Sequence, residues 1–206
     1  MESLRDDLIK KLGEEKLLII EGSRIGIAGA GGLGSNCAHN LVRSGFKKFK
    51  IVDFDTITAA NLDRQFYFLD QVGQKKVEAL KINLCRINPE LDIEIEAVKI
   101  TENNIRKLFK DCHIVVECLD TAEGKGMLVN RLLPEGKFIV SASGLGGIGS
   151  SDEIKTHKLK ENLVIIGDLR SDIKDRPALS PRVSIAAAKE ADVVLEYVLR
   201  GTLDKP

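Results

Sequence analysis

Residues 27–36, IAGAGGLGSN, set Gly29, Gly31 and Gly34 in a G-x-G-x-x-G pattern. Glycine at this spacing suits a turn from strand into helix. Its backbone takes positive φ, and the missing side chain lets phosphate oxygens approach the amides at the helix start. Asp53 follows at about 20 residues' distance, ending the next expected strand, where a carboxylate accepts hydrogen bonds from ribose hydroxyls. The pair describes a nucleotide site but not which nucleotide, and a tight turn with close helix packing would use the same glycines.

Residues 53–80, DFDTITAANLDRQFYFLDQVGQKKVEAL, bear on that choice. A dehydrogenase usually passes from the ribose acid straight into a helix, whereas here the connection carries Asn61, Arg64, Gln65, Lys75 and Lys76. An arginine fork and a lysine point charge converging on phosphates would stabilise the charge that develops as a phosphoryl bond breaks. An ordinary solvated surface would also hold such residues. Four of the nine Phe and Tyr residues, Phe54, Phe66, Tyr67 and Phe68, fall in this segment, which argues for a packed connection. Asp120 ends the apolar stretch HIVVECLD at what would be the carboxyl edge of a sheet, where ligands bind. Its alternative role is to cap the helix starting near Thr121.

The elements that must position these groups follow from periodicity. Residues 3–20 carry an amphipathic leading helix within the segment 1–22, marked by Leu4, Leu8, Leu12, Leu17 and Leu18. RIGIAG is a short buried strand, and the following helix is stopped by Gly45. FKIVDFD is the next strand, and GQKKVEALKINLCRINP a helix ended by Pro89. DIEIEAV (92–98) alternates as a strand with one wet face. A charged helix at about 102–110, the strand HIVVECLD, a helix to about Leu133 and the strand KFIVSAS complete the rhythm. Strands alternating with helices predict an α/β fold: a Rossmann-like, doubly wound, mainly parallel sheet in a single domain over residues 1–206. EIKTHKL and NLVIIGDL have no helix between them and are expected to pair antiparallel at the C-terminal side. The last helix starts with Ser180 as N-cap and Pro181 at its first position, and Gly201 follows its end. GGLGS (31–35) returns as GGIGS (146–150), but only the first lies between a strand and a helix. The second is a flexible turn on the plainest reading.

Thirty-one basic and thirty-one acidic residues balance, so no chain-wide field recruits nucleic acid or an acidic membrane. The longest apolar run near the start, residues 17–20, is too short for a signal or a span, and a cytoplasmic protein is expected. Cys37, Cys85, Cys112 and Cys118 form no C-x-x-C pair and read as buried thiols in a reducing compartment; no zinc is expected. His39, His113 and His157 are scattered and are assigned no chemistry.

GAGGLGS (29–35), DFD (53–55), NLDRQ (61–65), GQKKVEA (73–79) and ECLD (117–120), in that order, resemble the ATP-dependent activating enzymes of ubiquitin-like sulfur carriers, the ThiF and MoeB group. The likeness runs from about Arg24 to Ser143, and SASGLGGIGSSDEIKT with SPRV looks most like short ThiF-like proteins of thiamine biosynthesis. It implies that the carrier's C-terminal glycine carboxylate attacks the α-phosphate of Mg-ATP, giving an acyl-adenylate and pyrophosphate. Gly29, Gly31, Gly32 and Gly34 would cradle the nucleotide and Asp53 hold the ribose. Asn61 and Arg64 would contact the phosphates, Lys76, third after Gly73, would stabilise the transition state, and Asp120 would bind Mg2+. A ThiS-like carrier ending in Gly-Gly and a homodimer are implied as partners.

The sequence departs from that group in lacking the two zinc-binding C-x-x-C pairs of larger members and any cysteine after Cys118. The expectation is a reaction that stops at the adenylate, with an external sulfur donor completing the transfer. Arg5 is the only candidate for the arginine that a neighbouring subunit supplies in the family, its surroundings do not match, and it is left unassigned. The family's Asp-Asn is Asp120-Thr121 here. The glycine stretch 144–149 offers a side-chain-poor wall for an extended carrier tail at Gly146 and Gly147. Two other readings remain open: an NAD-dependent oxidoreductase using the same glycine loop, and a non-catalytic nucleotide-binding scaffold partner of another activating enzyme.

Overall fold

The computed structural model describes residues 3–172 and 175–203. Helix α1, Leu4–Leu12, opens on a reciprocal cap in which the Ser3 side chain accepts from the Asp6 amide and the Asp6 carboxylate from the Ser3 amide. Asp6 and Asp7 in its first turn and Lys10 and Lys11 in its last oppose the helix dipole. Helix α2, Glu14–Gly22, follows directly. The single leading helix expected over residues 3–20 is therefore two, broken at Gly13, whose φ of 82° lies outside any right-handed helix. Leu8, Leu17 and Ile20 still face inward.

The strands are β1 Arg24–Ala28, β2 Lys48–Val52, β3 Asp92–Glu96, β4 Ile114–Glu117, β5 Phe138–Ala142, β6 Lys155–Lys160 and β7 Leu163–Gly167. They form one seven-stranded sheet in the order β3-β2-β1-β4-β5-β7-β6. Every neighbouring pair is parallel except β6 with β7, so the mainly parallel sheet with an antiparallel pair at its C-terminal side is present. The alternation in β3 turns Asp92, Glu94 and Glu96 toward Arg24 and Lys50 on the neighbouring strands, which explains its wet face.

Helices α3 Gly32–Arg43, α4 Lys76–Cys85 and α7 Ser180–Leu203 bury one core against the sheet; α5 Ile105–Leu108 and α6 Ala122–Leu132 bury another on the opposite face. Three helix boundaries differ from expectation. α4 starts at Lys76 because Gly73, at φ 92°, keeps the preceding turn open, and ends at Cys85, where the Ile87 and Asn88 amides turn back onto the Leu84 carbonyl. α5 is short because the Asn104 side chain accepts from the Thr101 amide and donates to the Lys99 carbonyl, holding a turn before it. α7 begins at Ser180 itself and continues through Gly201 to Leu203, a helix interior tolerating one glycine at a cost of about 1 kcal/mol. Strand order reverses between β1 and β4, and the carboxyl ends of those strands meet there. In open sheets of this kind that crevice receives the ligand.

Candidate functional site

The turn after β1 is closed by glycines for two different reasons. A Cβ on Gly29, at φ 100°, would stand 2.7 Å from the Cys118 carbonyl oxygen, and one on Gly34 only 1.8 Å from the Gly29 carbonyl oxygen. These two positions let the chain pack on itself. Gly32 is hemmed by Val183 Cγ1 at 3.0 Å and Arg64 Cγ at 3.5 Å. Gly31, the N-cap of α3, has φ −78° and its nearest neighbour is Gln65 Nε2 at 3.9 Å. The chain itself does not require glycine there, and the open space faces the start of a twelve-residue helix, where backbone amides and the dipole favour an anion.

Asp53 fixes this turn. Its Oδ2 accepts from the Ala30 amide at 2.7 Å and its Oδ1 from the Asp55 amide at 2.8 Å. Asp55 in turn pairs with Lys76 Nζ at 2.6 Å, and its carbonyl accepts from the Lys76 amide at 3.0 Å. The Tyr67 hydroxyl donates to the Ala30 carbonyl at 2.7 Å and lies 3.3 Å from the Lys76 carbonyl. Ala30, Asp53, Asp55, Lys76 and Tyr67 thus form a closed ring of contacts that gathers the glycine turn, the end of β2 and the start of α4. Burial, with Asp53 and Asp55 adding to it, pushes the Tyr67 phenol well above its ordinary value, so it stays a hydroxyl. Lys76 has only 8% of its side chain exposed, while the Nζ of Lys75 turns away to the Phe54 carbonyl. Asp55 and Tyr67 were not singled out by the sequence reading; the repeated acid in DFD hinted at the first, and nothing local pointed to the second.

Asn61 and Arg64 lie in the connection that packs on α3. The Asn61 side-chain oxygen accepts from the Thr58 amide at 2.9 Å, leaving its amide nitrogen to face a ligand. The Arg64 guanidinium pairs with Asp63 at 2.6 Å, and the Arg64 carbonyl accepts from Asn36 Nδ2 at 2.9 Å beside Gly32. The Phe66 amide donates to Ser35 Oγ at 3.0 Å. Gln65 Oε1 is buried with no partner, next to the open space over Gly31. A buried amide oxygen without a donor is a group that a ligand hydroxyl or amine could satisfy.

Asp120 sits in the connection from β4 to α6, exposed and without a hydrogen bond or ion pair. Thr121, not Asp120, caps α6, its Oγ1 accepting from the Gly124 amide at 3.1 Å. The connection is tied to the glycine turn by the Cys118 amide, which donates to the Ala28 carbonyl at 2.9 Å. Among the described residues no cluster of three or more His, Cys, Asp or Glu is placed to hold a metal ion. A hard ion at Asp120 would need substrate oxygens and water for its other ligands, which is how Mg2+ is commonly held beside phosphates.

The second glycine stretch is enclosed by the chain itself. A Cβ on Gly146 would stand 2.7 Å from the Asp172 carbonyl oxygen and 2.9 Å from that of Arg176, and the Gly147 amide donates to the Pro177 carbonyl at 3.0 Å. The wall expected to be free for a carrier tail at Gly146 and Gly147 is therefore occupied by this chain's own backbone. Arg182 locks it from α7, pairing with Asp168 at 2.7 Å and donating to the carbonyls of Leu145, Gly149 and Ser150. Only residues 148–150 of that stretch stand exposed. At the other end of the sheet Arg5 is held by Glu21 at 2.9 Å.

Of the four thiols, Cys37, Cys112 and Cys118 are buried and Cys85 half-buried. Burial pushes Cys37 and Cys118 well up, and Cys112 to about 11. None is primed as a nucleophile, since reactivity needs the thiolate. No helix among the described residues is long and apolar enough to cross a membrane.

The pattern of the ThiF family matches residues 5–183. The "Adenylyltransferase and sulfurtransferase UBA4" of Candida glabrata is 35% identical over 133 residues, 64% of this chain and 31% of that protein. The "Molybdopterin-synthase adenylyltransferase" of Haemophilus influenzae is 35% identical over 117 residues, 56% of this chain and 47% of that protein. The chain thus spans less than half the length of these curated relatives. Among solved structures, E. coli tRNA N6-threonylcarbamoyladenosine dehydratase, TcdA, in complex with AMP superposes with a TM-score of 0.86 at 18% identity, covering 97% of this chain and 95% of the other.

Proposed function

The chain belongs to the ThiF family, and from that premise we propose that it is an ATP-dependent adenylyltransferase that activates the C-terminal glycine carboxylate of a ThiS-like, ubiquitin-like sulfur carrier. One observation carries the reading: the open space over Gly31 at the start of α3, bordered by Gln65 with its unpartnered oxygen and continuous with the Asp53–Lys76 ring. The residues fit Mg-ATP. The Gly31 amide end of α3 receives phosphate oxygens. Asp53 has one lone-pair site left on each oxygen for ribose hydroxyls. Asn61 Nδ2 and the Arg64 guanidinium face the phosphates, and Asp120 offers its carboxylate to Mg2+. Gly29, Gly32 and Gly34 shape the cradle.

In the reaction a carrier carboxylate oxygen attacks the α-phosphorus, forming the acyl-adenylate, and the bond to the bridging oxygen breaks to release pyrophosphate. Lys76 stabilises the charge that builds on the α-phosphate. In the free chain that cation is already neutralised by Asp55, so phosphate competes with an aspartate for it. With no cysteine in the sequence after Cys118, we assign sulfur delivery to an external donor. A carrier tail reaching Gly147 would have to displace the carbonyls of Asp172 and Arg176. A homodimer, a cytoplasmic setting and a place in thiamine biosynthesis belong to the same proposal.

The test is pyrophosphate exchange into ATP with Mg2+ and carriers ending in Gly-Gly, with Asp120→Ala as control. Carrier-dependent exchange that falls about 10²-fold or more in the variant supports the reading. ATP binding without exchange for any carrier selects the scaffold, and NADH binding without ATP binding selects the oxidoreductase. The near-complete overlap with the dehydratase chain favours one second reading, in which the carboxylate belongs to the threonylcarbamoyl group of a tRNA nucleoside. Exchange dependent on such a tRNA and not on carriers would select it.

A further inference from the structure

Glu117 ends β4 with no exposed surface, yet none of the roles above uses it. Its Oε1 accepts from the Leu119 amide at 2.7 Å, two residues on in the chain. Its Oε2 accepts from Lys125 Nζ in α6 at 3.0 Å and from Ser141 Oγ in β5 at 2.5 Å. Ser141 is the partner of Glu117 in the parallel register of β4 and β5. One carboxylate therefore joins three pieces of backbone: the connection 118–121, the first turns of α6, and β5. Asp120 lies inside that connection with no contact of its own to hold it.

A buried carboxylate is expensive unless it is paired and hydrogen-bonded. Placing apolar side chains at 117, 125 and 141 would fill the same volume without that cost. The network is understandable if it supplies orientation that packing cannot. We infer that Glu117, with Lys125 and Ser141, is the positioning device for the metal-facing carboxylate of Asp120. Oε1 fixes the chain reversal just before Asp120, and Lys125 draws α6, capped at Thr121, against the same carboxylate just after it. The device acts through Asp120 and touches neither metal nor nucleotide. This inference rests on the reading of Asp120 as the Mg2+ ligand.

The experiment measures ATP affinity by calorimetry with Mg2+ and with EDTA in the full chain, its Glu117→Gln, Ser141→Ala and Asp120→Ala variants. Thermal unfolding is followed in parallel. Glutamine keeps an acceptor for the Leu119 amide but loses the charge that holds Lys125. The expected result is that Glu117→Gln loses about tenfold of the Mg2+-dependent tightening, the scale seen when groups behind a metal ligand are removed. Its affinity in EDTA should stay unchanged, a split that general unfolding would not produce. Ser141→Ala should lose a smaller part, with its melting temperature little altered. Full retention of the Mg2+ effect in both variants, while Asp120→Ala abolishes it, overturns the inference and leaves the proposed function standing. A Mg2+ effect that Asp120→Ala does not diminish overturns the metal role of Asp120 and the inference with it.

Discussion

The segments GGLGS at 31–35 and GGIGS at 146–150 differ by one residue, Leu33 against Ile148, and they meet opposite surroundings. In the first, Gly29 and Gly34 admit neighbouring backbone while Gly31 opens onto free space at the head of a helix. In the second, Gly144 faces Asp168 Oδ1 at 2.1 Å from a would-be Cβ and Gly146 faces carbonyls from residues 172 and 176; no helix begins at its end. A glycine pattern announces close approach by something. The element that follows decides whether the visitor is a ligand or the chain itself. Helix α7 touches both segments from adjacent residues, Arg182 gripping the second and Val183 pressing on Gly32 in the first.

The contrast can be broken by substitution. Gly34→Ala should have the largest effect, because its Cβ would overlap the Gly29 carbonyl. A loss of more than about 4 kcal/mol is expected in urea unfolding, placing it among the exceptional substitutions. Arg182→Ala comes next. It leaves Asp168 buried beside 8% side-chain exposure and strips three carbonyls of their donor, and a loss of about 3–5 kcal/mol is expected. ATP affinity measured on the fraction that remains folded should hold, since the second segment belongs to the chain's own packing. Gly31→Ala should do the reverse: stability within about 0.5 kcal/mol of the parent, and ATP affinity down about tenfold, or ~1.4 kcal/mol. If Gly31→Ala unfolds the protein and leaves binding intact, the distinction between the two segments fails.

Glu190 gives the mildest test. It lies on α7 where that helix packs on α3, fully buried, with neither carboxylate oxygen hydrogen-bonded. Burial raises its pKa well above the ordinary value; Glu117 of β4 adds to this and Lys125 of α6 opposes it, with the thiols of Cys37 on α3 and Cys118 after β4 as its other titratable neighbours. An acid whose folded pKa is raised contributes stability in full below its ordinary pKa and loses it as pH rises through the folded value. Thermal stability should therefore fall with rising pH above the carboxylate range, by no more than about 1.4 kcal/mol per pH unit for this one group. Glu190→Gln should flatten that slope.

Much of the architecture was legible because its signals are local. The alternation of apolar strands with amphipathic helices, the glycine turn and the antiparallel last pair each reside in a few consecutive residues. The break at Gly13 was hidden by charged and leucine positions that keep helical spacing on either side of it. The candidate site was half legible. Gly31, Asp53 and Lys76 carry spacing signals, but the partnership of Lys76 with Asp55 and of Tyr67 with Ala30 depends on the irregular path of residues 56–75, which has no period to read. Glu117 looked like one more strand residue, and only the register of β4 on β5 reveals Ser141 as its partner.

The ring from Ala30 through Asp53, Asp55, Lys76 and Tyr67 has no loose end, and that governs how this part of the molecule breathes. Opening any one contact leaves the other four joining the same segments, so small excursions reclose quickly. Exposing the Ala30, Asp55 and Lys76 amides to solvent, all of them donors in this region, requires the turn, the strand end and the helix start to part together. In native-state hydrogen exchange those three amides should open as one cooperative unit, and a nucleotide bound over Gly31 should slow all three by the same factor.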